Sequence, residues 1–305
     1  NVGLGDLQFL LKMGRALVIG DSGNDAQVSQ MLRQIGFETI VISDDAFFDN
    51  SEPNLGEGFD LVVLLDGDGF GNDMPQPGQQ AIVDFVNNGG GLIVFAWIAY
   101  EISQGRYQVL APLIPVQRVG AFQGTVDWNL NNNNLITETL PSSFSAEMAI
   151  NQGTADFGTV LGTDPYHGDL LVSAPVGSGR IVQFGTPGNW DDEPAMSNPN
   201  LQALFRGSVY WVTQNWAHFL PYSENMTSSS AQTVWIEMDS RGLPQGNYNQ
   251  VLPVLHNDPN QPPLSLDITL RIPCLIPNSF YDNLPVWPNP LNLLDFVEMV
   301  TTFCE

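Results

Sequence analysis

The first part of the chain alternates short apolar runs with amphipathic segments. Arg15-Ala-Leu-Val-Ile-Gly20 reads as a buried strand, and the polar turn Asp21-Ser-Gly-Asn-Asp25 follows it. Ala26, Val28, Met31, Leu32 and Ile35 then recur at helical spacing up to Gly36, a residue suited to a helix C-terminus. Residues 37–42 and 59–65 predict two more strands, the second apolar throughout, as in a parallel strand covered on both faces. A helix over 79–88 with Ala81, Ile82, Phe85 and Val86 inward ends at Gly89-Gly90-Gly91, and a strand follows over 92–96. Alternation of this kind predicts βαβ units and an α/β, flavodoxin-like, doubly wound parallel sheet.

Residues 100–165 show little periodicity, and the Asn131–Asn134 run reads as a loop. Regularity returns with a β-hairpin over 169–185, turning at Gly177-Ser-Gly179, and an amphipathic helix from about Asn200 to Trp216. Beyond it, 233–238, 246–255 and 264–272 alternate apolar and polar residues with turn residues between, an antiparallel pattern. The chain therefore divides into an α/β domain (1–215), a small all-β sandwich (216–276) and a tail (277–305) whose apolar stretch Leu291–Phe303 is expected to pack on a neighbour.

With 305 residues and 43% hydrophobic content, each domain has the means to bury a core. No apolar run is long enough to span a membrane, and the start, Asn1-Val2-Gly3-Leu4, reads as a mature or trimmed terminus. Charge narrows the partners. Thirty-three acidic residues against nine basic ones give −24, which argues against nucleic acid and anionic lipid, since both need cationic contacts. The same surface suits a cation-rich medium, metal binding or plain solubility. Cys274 and Cys304 lack zinc-type spacing. In an exported protein they would pair as a disulfide worth roughly 3 kcal/mol, and otherwise they are two buried thiols.

The segments 59–65, 80–94 and Ala174-Pro-Val-Gly-Ser-Gly-Arg-Ile-Val-Gln-Phe-Gly185 together resemble class I glutamine-amidotransferase-like domains, including the ThuA-like and β-galactosidase trimerisation branches. Residues 216–273, with Gly242-Leu-Pro-Gln-Gly-Asn-Tyr248 and Asn257-Asp-Pro259, resemble the Ig-like β-sandwich repeats of bacterial secreted and surface proteins. The first resemblance implies a cysteine on the elbow after the Gly-Gly-Gly strand and a His-x-Glu partner after the strand ending at Gly185. Here Ala96-Trp97-Ile98 and Thr186-Pro-Gly188 stand in those places, so amidotransferase chemistry is not expected.

Other candidate chemistry lies at the carboxyl ends of the strands, where doubly wound sheets bind ligands. Asp66-Gly-Asp-Gly-Phe-Gly-Asn-Asp73 is similar to Asp/Gly loops that wrap Ca²⁺, and makes Asp66, Asp68 and Asp73, with Asp21, the candidate ligands; a solvated turn is the alternative. Asp44, Trp97, Tyr100 and Trp190 mark a candidate ligand crevice, with Trp128 nearby, where aromatic rings would stack on a sugar or pack the loops. His167, His218 and His256 are too scattered for a triad. The expectation is a non-catalytic structural or adhesive module of an extracellular or cell-surface bacterial assembly, with self-association or other surface proteins as partners. The alternatives are a carbohydrate-binding or carbohydrate-active protein of ThuA-like ancestry and a Ca²⁺-stabilised spacer.

Overall fold

The computed structural model describes residues 7–11, 14–20, 25–65, 71–132, 134, 136–137, 140–186, 196 and 198–213, then the strands 217–220, 223–226, 235–238, 246–256 and 264–272. A first strand, β1 (Leu7–Leu11), precedes a βαβ series: β2 (Gly14–Ile19), α1 (Asp25–Gln34), β3 (Phe37–Ile42), β4 (Leu61–Leu64), α2 (Gln76–Asn87), β5 (Gly91–Val94) and α3 (Trp97–Ser103). Next come β6 (Val116–Leu130), β7 (Ser143–Ala155), β8 (Thr159–Asp164), β9 (Gly168–Val176), β10 (Gly179–Phe184) and α4 (Pro199–Val212). The remaining strands are β11 (Ala217–Leu220), β12 (Ser223–Met226), β13 (Trp235–Met238), β14 (Gly246–His256) and β15 (Leu264–Ile272).

A nine-stranded sheet runs in the order β3-β2-β4-β5-β10-β9-β7-β6-β8. Its first five strands are mutually parallel. Side-chain alternation along β2 explains why helices cover both faces. Ala16 and Val18 join a core with Val28 and Leu32 of α1 and Leu204 and Val209 of α4. Leu17 and Ile19 join a second core with Ile82 and Val86 of α2 and Ile98 of α3. All four residues of β4 are fully buried, and each contributes about 1.5–3 kcal/mol of transfer free energy. The doubly wound parallel sheet predicted from the sequence is present.

The segment 100–165 differs from its prediction. It holds a long antiparallel hairpin in which β6 and β7 pair from Val116↔Ala155 to Asn129↔Ser143, with a bulge between Arg118 and Gly120. From Gln117 to Thr125 every residue of β6 is half-buried or exposed, and only Val126, Trp128 and Leu130 are buried near the tip. Gly120 and Gly124 interrupt β6, so the period-two signal of a half-buried strand is confined to Val126–Leu130 in β6 and to Phe144–Ile150 in β7, too short a stretch of each strand to reveal the whole hairpin. Trp128, expected near a crevice, is instead fully buried and stacks on Phe144 at 5.5 Å. Strand β8 pairs with both β6 and β9, and a single parallel bridge, Gly153↔Gly168, joins β7 to β9. These pairings close a ring of four strands beside the parallel sheet.

The C-terminal strands are antiparallel, as their alternation predicts, in a four-stranded sheet of order β12-β1-β14-β15 and a pair β11-β13. Strand β1 lies between β12 and β14, with Leu10 opposite Ser223 and Leu255. Residues 7–11, assigned from sequence to the first domain, are thus hydrogen-bonded into the C-terminal sheet. Cys274, Cys304 and the tail 277–305 lie outside the described residues. Among the described residues no helix is long and apolar enough to cross a membrane.

Candidate functional site

Strand β5 runs on through Phe95 to Ala96, where the chain turns into α3. Phe95 anchors this corner by stacking on Phe184 of β10 at 5.1 Å and contacting Phe205 of α4 at 6.3 Å. The backbone of the corner is fully engaged: the Ala96 N–H donates to Thr186 O at 3.1 Å, and the Ala96 carbonyl accepts from the Asn151 side-chain amide. Asn151 of β7 also donates its own N–H to Gly185 O at 2.7 Å, so one residue ties the hairpin to the ends of β5 and β10. A second tie lies lower down. Buried Gln183 accepts from Val116 N at 2.7 Å and donates to Val116 O at 3.3 Å, which seats the start of β6.

These ties hold the hairpin over the strand ends and enclose a cavity of about 180 Å³. Ala96 and Trp97 line one side, and Ala121, Phe122 and Gln123 of β6 with Ala149, Ile150 and Asn151 of β7 line the other. Trp97 meets Tyr100 edge-on at 5.4 Å. Tyr100 in turn carries the Arg118 guanidinium 4.7 Å from its ring centroid, and Arg118 Nε donates to Asn151 Oδ1 at 2.9 Å. Two predicted crevice residues, Trp97 and Tyr100, therefore sit together at the site. Asn151, Arg118 and Phe122 complete it and are not evident from the sequence, because the pairing of β6 with β7 that brings them together leaves no local pattern around them.

Phe122 is backed by His167, whose ring stacks on it at 3.9 Å. His167 Nδ1 lies 2.8 Å from Asp164 Oδ1, so this histidine is fixed rather than an isolated surface residue. Asp164 is 3% exposed and accepts also from the N–H groups of Asp127 (2.8 Å), Tyr166 (2.8 Å) and His167 (3.0 Å). Burial acts to raise its pKa, but the Tyr166 and Asp127 amides and the His167 ring outweigh it and hold the carboxyl below the usual carboxylate range.

The other predicted site residues are placed differently. Asp44 caps the short 3₁₀ turn Asp45–Phe47 by accepting from Ala46 N at 2.9 Å. Asp73 turns Oδ1 inward, where it accepts from Gln79 Nε2 at 2.9 Å and Tyr107 N at 3.0 Å. Desolvation pushes its carboxyl above the usual range, against the opposing pull of Arg106 and the Gln79 hydrogen bond. Arg106 itself pairs with buried Glu101. Asp73 thus acts as a bracket between the start of α2 and the loop after α3. Asp21, Asp66, Asp68 and Trp190 lie outside the described residues, and among the described residues no group of three or more His, Cys, Asp or Glu side chains is placed to hold a metal. Asp73→Ala is expected to lower stability by about 1–2 kcal/mol with or without Ca²⁺, because it leaves the Tyr107 N–H and one N–H of the Gln79 amide without their acceptor. Chemical denaturation in chelator and in Ca²⁺ checks this, and a loss seen only with Ca²⁺ would make Asp73 an ion ligand instead.

No family model and no curated protein matches the chain. Solved structures do. A protein of Bacteroides uniformis described as ThuA-like superposes with a TM-score of 0.51 at 16% identity, covering 66% of this chain and 91% of its own. A cytoplasmic protein of Salmonella typhimurium gives the same score and identity, covering 66% of this chain and 99% of its own. PurLQS of Thermotoga maritima is similar at a TM-score of 0.43 and 16% identity, over 65% of this chain and 98% of its own. At these identities the likeness establishes the fold of the α/β part, a ThuA-like fold, and leaves chemistry to the site.

Proposed function

We propose that the chain is a non-catalytic module of an extracellular or cell-surface assembly, and that the crevice over Ala96 binds a ligand rather than transforming it. The observation that carries this reading is the residue at the elbow. Ala96 offers a methyl group where this architecture presents its nucleophile, and its N–H and carbonyl are both taken by neighbours. His167, behind the Phe122 wall of the crevice, is spent on Asp164 and on the face of Phe122. An adhesive or assembly role is supported by Val119, 81% exposed at the bulge of β6, and Tyr166, 82% exposed beside His167. Bulges re-aim side chains in this way at functional edges. The antiparallel C-terminal strands suit an Ig-like spacer.

A saccharide ligand is a second reading, favoured by the cavity wall. Trp97 and Phe122 supply aromatic faces, and Asn151 and Gln123 supply side-chain amides, the combination of apolar surface and few polar groups that orients small ligands. Glutamine hydrolysis is expected to be absent from the native chain and from Ala96→Cys, since a thiol without a base gains little. An ammonia-release assay, run beside a glycoside-hydrolase panel and sedimentation analysis across concentration, tests the whole reading. Turnover by the native chain refutes the non-catalytic role, and a strict monomer that binds no surface partner refutes assembly.

A further inference from the structure

Nine basic residues face thirty-three acidic ones in this chain, so a cation has no shortage of carboxylates to choose from. Arg118 takes none. Among the described residues no carboxylate lies within ion-pair distance of it, whereas Arg15 reaches Glu38 and Arg106 reaches Glu101. Its contacts are neutral: the Tyr100 ring beneath the guanidinium and the Asn151 carbonyl oxygen on Nε. That arrangement fixes the plane of the guanidinium and uses one of its five N–H groups. The four on the terminal nitrogens form a fork suited to a carboxylate. Lysine would not serve equally, because a point charge neither stacks nor binds in a plane.

Of the two residues that hold Arg118, one lines the cavity and the other touches its wall. Asn151 lines the cavity, and Tyr100 abuts Trp97, which lines it too. The cavity volume of about 180 Å³ falls below the roughly 300–1,000 Å³ of drug-sized pockets and suits one ring rather than a chain of rings. A charged fork bonded to a wall residue of a small apolar pocket with aromatic walls and amide groups defines a ligand by its chemistry. We infer that the site takes a compact ring bearing a carboxylate, with the ring against Trp97 and Phe122 and the carboxylate on Arg118. This inference rests on the crevice being a binding site, and adds to it the charge of the ligand. The overall charge of −24 repels anions in general, so binding of this one must come from local complementarity.

The test is calorimetric titration of the full chain with D-galacturonate, D-glucuronate, galacturonate methyl ester, D-galactose, benzoate and inorganic phosphate. The acids are expected to bind with dissociation constants of about millimolar, as befits so few atoms. The methyl ester and galactose, which lack the charge, are expected to bind at least tenfold more weakly. Preference for uronates over benzoate identifies a sugar acid as the ring, and the reverse identifies an aromatic acid; either supports the inference. Arg118→Gln is expected to abolish the difference between acid and ester. The ester comparison needs no variant, so it decides the matter even if Arg118→Gln fails to fold. Equal binding of ester and acid, binding of phosphate alone, or no binding of any acid overturns the inference. Binding of galactose and ester as tightly as the acids leaves the neutral-saccharide reading standing, so the two failures are distinguishable.

Discussion

Asp164→Ala is expected to destabilise the protein by about 3–5 kcal/mol, measured as the loss in unfolding free energy in urea at neutral pH. One buried carboxylate accepts three backbone N–H groups and faces an imidazole nitrogen, and these partners come from β6 as well as from the β8–β9 turn. Hydrogen bonds to a charged group contribute about 1.5–3 kcal/mol, and each buried donor left unpaired costs about 1–3 kcal/mol, although terms sharing one acceptor do not add fully. Asp164→Asn keeps one acceptor oxygen and is expected to lose roughly half as much. The sign of the pH dependence follows from the lowered pKa. Stability from Asp164 is fully present above the ordinary unfolded carboxylate range and is lost as pH falls through the lower native value. The alanine variant should therefore show a shallower decline on the acid side. A loss under about 1 kcal/mol, or an unchanged acid limb, would contradict this account. The effect reaches the site because His167, set by Asp164, backs the Phe122 wall of the cavity.

Gly168→Ala should cost about 3 kcal/mol or more, through two separate causes. Gly168 has φ +101, which side chains rarely adopt, and a Cβ there would run into the carbonyl oxygen of Gly153, its partner across the bridge between β7 and β9. Gly105 supplies the control, because its φ of +85 is also left-handed but a Cβ there meets nothing within 4 Å. Gly105→Ala is expected to lose only the backbone term, about 1–2 kcal/mol. The difference between the two variants isolates the steric cost of prising β7 from β9. Equal losses in thermal or urea unfolding would show that the bridge gives way without penalty. Since Asn151 lies two residues before Gly153, a shift of β7 is also expected to loosen the contacts that close the cavity over Ala96.

How much of this was legible beforehand depended on where the information lies along the chain. Gly14–Ile19, Asp25–Gln34, Leu61–Leu64 and Gln76–Asn87 announce themselves, because burial on two faces demands unbroken apolar runs in strands and a periodic stripe in helices. The corner at Ala96 was equally plain, since it ends the strand predicted after Gly89-Gly90-Gly91. Val116–Leu130 gave a weaker signal: Gly120 and Gly124 interrupt it, and only Val126, Trp128 and Leu130 alternate cleanly with polar neighbours. Asp44 and Asp73 stand near strand ends, as the sequence indicates, but that one oxygen of each serves a 3₁₀ cap or a buried amide is visible only in the fold.

By itself, the sequence determined the parallel sheet and the helices on its two faces, which follow from short-range pattern and turn chemistry. Only the tertiary structure decided the candidate site. Arg118 and Asn151 stand 33 residues apart, and Asn151 reaches Ala96 across 55. Pairings of that separation are made by the register of a hairpin and the closing of a strand ring, and composition along the chain carries no trace of either.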